Sequence, residues 1–346
     1  MILMNLLAYI RKRLLMLVLV LLGLSIITFT MINLTPVDPV ILWGGEKASP
    51  EVLEKVRQDY GLDQPVVVQY FHYMANIFQG NFGVSLSTKH EVAADIATYF
   101  PATLELVLVA WVFALLVGVP LGILSAVKSN SIFDGLTRVV SLGGISMPLF
   151  WLGLLLQMLL FKQLGWLPLQ GRLDDMVAIL NPIEKHTGLY LIDSLITGNY
   201  IAFGDALKHI IMPALTLSVS GIATIMRMTR SCMLEILSKD YMVMAKTYGL
   251  SKRKVFFQYG LKNALVPIIT IVSMSMCSNL MGSVVVESIF DWPGIGRYAT
   301  RCILNADYSP VMAVVLMMGA IYVVINLVVD ILYFMIDKRI AYDSQE

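Results

Sequence analysis

Charge is scarce in this sequence. Only 14% of its 346 residues are Asp, Glu, Lys or Arg, against 58% hydrophobic, and the mean hydropathy is +0.76. A soluble domain carries charge at roughly a quarter of its positions, so the solvent expected here is a bilayer. A net charge of +1 and the lack of a long basic stretch give no nucleic-acid surface. Cysteine is equally sparse. Cys232, Cys277 and Cys302 are odd in number and scattered, which excludes a disulfide framework or a metal-spaced cluster and leaves small apolar residues. His72, His90, His186 and His209 show no ligand spacing, so no metal site is expected. His209, four residues before Pro213, suits a structural hydrogen bond. No Gly-Lys dipeptide occurs, so the usual phosphate loop is absent and the chain does not hold ATP by that route. Leu142-Gly-Gly-Ile145 lies inside an apolar run, where close helix packing accounts for it. No nucleophile–base set has support from its context, and a non-catalytic protein is expected.

What the sequence has instead is long uncharged runs. The first, at 14–37, has no charge in 24 residues and follows Arg11, Lys12 and Arg13. It is longer than the core of a signal peptide and no small-residue cleavage site follows, so it reads as a retained membrane helix. Six spans of an all-α polytopic protein are expected, at 14–37, 101–127, 136–161, 208–228, 264–286 and 311–336, each long enough or nearly so to cross about 30 Å of hydrocarbon. With residues 1–13 inside, the inner pieces carry 15 Lys and Arg in roughly 80 residues and the outer pieces 10 in roughly 140. That contrast puts both termini in the cytoplasm, with the 229–263 loop inside and the segments 38–100, 162–207 and 287–310 outside.

Two outer segments are large. Residues 38–100 carry helical pattern near 50–60, where Ser49-Pro50-Glu51 has the chemistry of a helix start, and again near 66–78. Residues 165–205 read as irregular chain with short helices. Either segment suits docking of a soluble partner or sealing of a pore mouth. Within the spans, Gln157, Asn279 and Asn326 are uncharged polar residues at membrane depth, candidates for lining a pathway or for bonding between helices. Glu105 and Asp330 lie near span ends, where pairing or snorkelling suits them better than a role in transport.

The 229–263 loop is the most informative stretch. Its pattern predicts a helix from Asp240 to Tyr248, a left-handed stop at Gly249, and a second short helix capped by Ser251. That second helix mixes Lys252, Arg253 and Lys254 with Val255, Phe256 and Phe257. A short, exposed, partly apolar helix fits a groove on a partner protein, or lies on anionic lipid.

The Ala245-x-x-x-Gly249 spacing, closed by Asn263-Ala-Leu-Val-Pro267, resembles the EAA loop of binding-protein-dependent ABC importer permeases, although Met244-Ala245-Lys246 stands where the name implies Glu-Ala-Ala. Glu287-Ser-Ile-Phe-Asp-Trp-Pro-Gly-Ile-Gly-Arg297 is similar to the motif after the fifth span of dipeptide, oligopeptide and nickel permeases. Asp307-Tyr308-x-Pro310, Arg227-Met-Thr-Arg-Ser231, Thr35-Pro-Val-Asp-Pro39, Gly61-Leu-Asp-x-Pro65 and Phe100-Pro-Ala-Thr-Leu-Glu105 resemble further elements of that family, in the same order. The resemblance implies a type I ABC importer permease fold, its transmembrane domain spanning about 98–335. It implies that Asp240, Ala245, Lys246, Gly249, Leu250, Ser251, Val255 and Phe256 belong to a loop that fits a cleft in an ATPase subunit. It marks Glu287, Phe290, Trp292, Pro293, Gly294, Gly296 and Arg297 as motif residues without chemistry. The implied partners are a second permease chain, two cytoplasmic ATPases that bind ATP and Mg, and a periplasmic or lipid-anchored substrate-binding protein, in a prokaryotic inner membrane. No cofactor is implied for this chain. The 162–207 insertion looks like that of dipeptide-type permeases, so peptide is the expected substrate; nickel, haem and glutathione stay open. An ion-coupled secondary transporter, the rival class, requires intramembrane ionisable residues and internal repeats that the sequence does not clearly show.

Overall fold

A computed structural model describes residues 2–34, 40–41, 48–59, 61, 63–251 and 254–336. The elements at 35–39 and 252–253 quoted above lie outside the described residues, as does the side chain of Lys246. Helices dominate. In order they are α1 (Ile2–Asn33), α2 (Pro50–Asp59), α3 (Val66–Phe78), α4 (Val92–Val127), α5 (Ile132–Ser146), α6 (Leu149–Leu156), π1 (Gln157–Gln163), α7 (Asp175–Leu180), α8 (Tyr190–Ile196), α9 (Tyr200–Leu237), α10 (Asp240–Thr247), π2 (Val255–Leu261), α11 (Lys262–Ile289), α12 (Ile295–Leu304) and α13 (Tyr308–Ile336). Among the described residues four helical stretches are long and apolar enough to cross a membrane, within α4, α9, α11 and α13. Counting the bent pair α5–π1 as one span makes five.

The six-span expectation meets one difference here. Among the described residues α1 carries an apolar stretch at Leu15–Met31. The run expected as one span at 136–161 is broken: α5 and the helix that begins at Leu149 meet at 105°. Met147 is extended (φ −81°, ψ 122°) and Pro148 caps the following helix. Proline's ring pushes the residue before it out of the helical region, which makes that dipeptide a natural corner. The fourth span, expected at 208–228, belongs to a 38-residue helix that starts where the Asn199 side chain accepts the Ala202 N–H.

The chain divides into two compact units. The first contains 101–294 with 1–5 and 325–346; the second contains 6–100 and 295–324. In the first unit α9 is the central post, packed mainly on α11 and α5. Glycines set the closeness of these crossings. A Cβ on Gly122 would sit 2.6 Å from the Met226 carbonyl oxygen, and one on Gly221 would sit 2.8 Å from the Ser275 hydroxyl. Small residues let membrane helices approach in this way, where lipid offers no hydrophobic force to hold them. Replacing Gly221 by valine is therefore expected to wedge α9 from α11 and cost about 1–3 kcal/mol, read as a lower thermal midpoint of the purified protein, whereas Gly23→Ala, with open space around it, should be silent.

In the second unit α3 lies along α1. The Ser25 and Tyr70 hydroxyls are 2.8 Å apart, and Phe29 meets Tyr70 and Tyr73 ring to ring. Gly319 of α13 admits Leu24 of α1. The 84–91 loop is held by two buried carboxylates. Asp95 accepts from the Thr88 and Tyr298 hydroxyls at 2.5 and 2.8 Å, and Asp307 accepts from the Ser85 hydroxyl and the Ser87 N–H at 2.7 and 2.9 Å. Burial and the Asp95 carboxylate push the Tyr298 phenol well above its ordinary value, so it remains a donor.

Candidate functional site

The 229–263 loop folds back onto the bundle. Met242 and Ala245 of α10 and Val255 of π2 are buried in one apolar cluster with Ile225, Met233, Ala264 and Ile268. Residues one turn apart on a helix share a face, so burying Met242 and Ala245 turns other positions outward. Tyr241, Met244 and Tyr248 follow that spacing and are 42%, 55% and 79% exposed. Of the residues marked from the sequence, Asp240, Gly249 and Ser251 are exposed, Leu250 and Phe256 are half-buried, and Ala245 and Val255 are inside. Ala245 and Val255 thus anchor the loop, while the outward stripe of Tyr241, Met244 and Tyr248 was not singled out from the sequence. Its signal was present in the spacing, but a resemblance marks positions and not the direction a side chain faces.

The helix ends where glycine chemistry requires. Gly249 has φ +74°, and the Leu250 N–H donates to the Ala245 carbonyl at 3.3 Å, closing the final turn across a left-handed residue. Ser251 then starts the next helix: its hydroxyl accepts the Lys254 N–H at 3.4 Å and its carbonyl accepts the Val255 N–H at 3.0 Å. The π-helical turn π2 runs directly into α11. Such turns carry an extra residue at a cost in helix geometry and concentrate where function needs them.

The motif after α11 makes a second, fully buried construction. Glu287 accepts the Thr103 hydroxyl at 2.6 Å, and Trp292 donates its indole N–H to the Ala102 carbonyl at 2.9 Å. A Cβ on Gly294 would run into the Glu287 carboxylate, so a larger residue there requires Glu287 to shift from its place against Thr103. The Phe290 carbonyl accepts the Gly171 N–H at 2.9 Å, which ties the motif to the 162–207 segment. Gly296 is buried and Arg297 exposed at the start of α12, in the other unit.

Beside this construction lies an ion pair that sequence reading missed. The Arg172 guanidinium donates to Glu105 at 2.6 Å and to the Gly188 carbonyl at 3.0 Å, and stacks 3.6 Å from the Tyr190 ring. The second Glu105 oxygen accepts the Leu191 N–H at 2.7 Å. Both charged side chains are about 5% exposed. Glu105 is therefore paired, as expected of an acid near a span end, and the insertion supplies both partners, the Arg172 guanidinium and an N–H in the first turn of α8. Asp193 organises the same insertion. Burial pushes its pKa up, but the Thr187 hydroxyl and the N–H groups of Thr187, Gly188 and His186 outweigh that and lower it. A depressed carboxylate stabilises above its unfolded value of about 3.9 and loses that stabilisation as pH falls through the folded value. Amide exchange at Thr187 and Gly188, corrected for intrinsic rate, should accelerate below about pH 4, and Asp193→Asn should already exchange fast at neutral pH.

The three polar residues at membrane depth differ in their surroundings. Gln157 donates to the Leu169 and Ile289 carbonyls at 3.2 Å each, a structural tie. Asn279 is buried on α11 with no partner for its Nδ2 among the described residues, one turn from the likewise unpartnered Ser275 hydroxyl. Asn326 is half-buried on α13. Among the described residues no group of three His, Cys, Asp or Glu side chains is placed to hold a metal.

Comparison with known proteins places these features in a family. Residues 118–342 match the model of the binding-protein-dependent transport system inner membrane component, and residues 6–107 match that of the N-terminal membrane component of such systems. The sequence is 42% identical over 336 residues to a dipeptide transport system permease protein of Alkalihalophilus pseudofirmus, covering 97% of this chain and 100% of that one. It is 44% identical over 331 residues to a probable D,D-dipeptide transport system permease protein of Escherichia coli, covering 96% of both. It is 36% identical over 334 residues to a glutathione transport system permease protein of Escherichia coli, covering 96% of this chain and 99% of that one.

Proposed function

Since the chain belongs to the binding-protein-dependent transport system inner membrane component family, we propose that it is the translocation subunit for di- or oligopeptides in an ATP-driven importer. It is a multi-pass inner-membrane protein and a non-catalytic permease subunit. Its relatives named for dipeptide transport support peptide as the cargo. In this reading the chain crosses the membrane six times, α1 supplying the first crossing, with both termini and the 229–263 loop in the cytoplasm. The loop charge supports that orientation. A second permease chain completes the path, two ATPases bind ATP and Mg, and a soluble or lipid-anchored binding protein delivers peptide to the outer face.

The observation that carries the coupling assignment is the Tyr241–Met244–Tyr248 stripe. It is an exposed apolar strip alongside the buried Met242–Ala245 edge of α10, which is locked into the core around α9 and α11. A force on that stripe is transmitted to two spans, which is the linkage an importer needs between ATP hydrolysis and its path. Aromatic and methionine side chains of this kind dominate protein interfaces. Met244→Glu is expected to weaken ATPase association by roughly ten-fold or more and to reduce ATP-dependent uptake in parallel, with insertion unchanged. Co-purification of the ATPases with the variant measures this; full retention would place the docking surface elsewhere.

A further inference from the structure

The first unit contains a cavity of about 190 Å³ between the C-terminal end of α4, the middle of α5 and the latter half of α9, lined by Arg138, Arg227 and Arg230. Its charge does not balance. Asp134 beside it is fully buried, and its carboxylate is saturated: Arg230 donates twice, at 2.5 and 2.8 Å, the Ser125 hydroxyl once at 2.6 Å, and the Asn130 N–H once at 3.0 Å. Arg138 donates its Nε–H to the Asp134 carbonyl at 3.4 Å and makes a long ion pair, 3.8 Å, with the same carboxylate, and more than half of its side chain is exposed. Arg227 is exposed as well. One carboxylate thus serves Arg230 closely and Arg138 at long range, three guanidiniums line the cavity against that single negative charge, and the cavity's hydroxyls are already spent. Ser125 and Thr137 engage each other at 2.9 Å, and Ser141 donates to the Thr137 carbonyl. What remains to offer is the guanidinium fork of Arg227 and the terminal nitrogens of Arg138, donors of the kind that take a phosphate.

We propose that this cavity binds the headgroup of an anionic phospholipid. Its wall continues into apolar surface suited to acyl chains: Leu142 lines it, and Val139 and Leu142, one turn apart on α5, are 68% and 60% exposed. Basic pockets between membrane helices recognise phosphate headgroups by this combination of charge and adjoining hydrocarbon. Peptide cargo suits the cavity poorly. It is smaller than the roughly 300–1,000 Å³ that encloses a drug-sized ligand, and the saturated Asp134 leaves no carboxylate for a peptide's ammonium. The inference rests on the membrane location of the chain and not on its cargo or its ATPases. Its consequence is mechanical: α9 runs on from Arg230 to Leu237 and into α10, so an occupied site braces the helix that leads to the docking stripe.

The test is native mass spectrometry of the full chain with its co-purifying subunits, titrated with phosphatidylglycerol, phosphatidylcholine or inorganic phosphate. One tightly retained phosphatidylglycerol per chain is expected, with phosphatidylcholine not retained. Each arginine removed should weaken retention roughly five-fold. Arg138→Gln with Arg227→Gln should thus weaken it on the order of twenty-fold, while Arg138→Lys with Arg227→Lys keeps most of it. Equal retention by the double Gln variant overturns the proposal, and so does displacement of the lipid by millimolar inorganic phosphate, which would mark a free-anion site. Should the Gln variant fail to assemble, the unmodified protein decides: retention that falls with rising salt supports the site, and salt-independent retention overturns it.

Discussion

Arg172→Met is expected to cost about 3–5 kcal/mol of stability, because it leaves the Glu105 carboxylate buried without its partner. The loss comes less from the missing attraction than from the stranded charge. The double variant Glu105→Gln, Arg172→Met should therefore recover much of it, since replacing both members of a buried pair is often close to neutral. Thermal unfolding of the four species in one detergent forms the cycle. The structural readout is the 162–207 segment. Arg172 reaches Glu105, Gly188 and Tyr190 together, so the single variant should open that segment to limited proteolysis while the double variant resists it. Equal damage from single and double variants would mean that the stacking on Tyr190, rather than the ion pair, holds the insertion.

Gly249→Pro is expected to abolish ATP-dependent uptake while the protein still inserts. Proline fixes φ near −65°, and this position has φ +74°. The α10 stop cannot form, and the Tyr248 end of the stripe is turned away from the path that Met242 and Ala245 anchor. Crowding does not contribute, because nothing lies within 4 Å of a Cβ placed there. Gly249→Asn, whose residue type tolerates left-handed backbone, should therefore keep most of the activity, and Gly249→Val should lose most of it. Full uptake in Gly249→Pro would detach this loop from coupling.

Much of that loop was legible in the sequence because its rules are local. A glycine stop and a serine cap act through neighbouring backbone, and Gly249 and Ser251 follow them. The facing of Ala245 and Val255 was not legible, since it depends on Met233, Ile225 and Ile268, which come from distant parts of the chain. The Glu105–Arg172 pair joins residues 67 positions apart, and no spacing rule reaches that far. Gln157 reads as a pathway candidate from depth and polarity alone, yet two backbone carbonyls take it up. The corner at Met147–Pro148 is different. Its signal, a residue forced extended before proline, was in the sequence, and the unbroken hydrophobicity around it outweighed that signal in the expectation of a single span.

The central claim is that this chain conducts peptide only when partner ATPases act on its 229–263 loop. Reconstitution into sealed vesicles with the second permease chain, the ATPases and the binding protein tests it directly, with labelled dipeptide uptake as the readout. The account predicts uptake that needs ATP and every partner and that disappears with Gly249→Pro. Uptake by this chain alone, driven by an ion gradient, would contradict it.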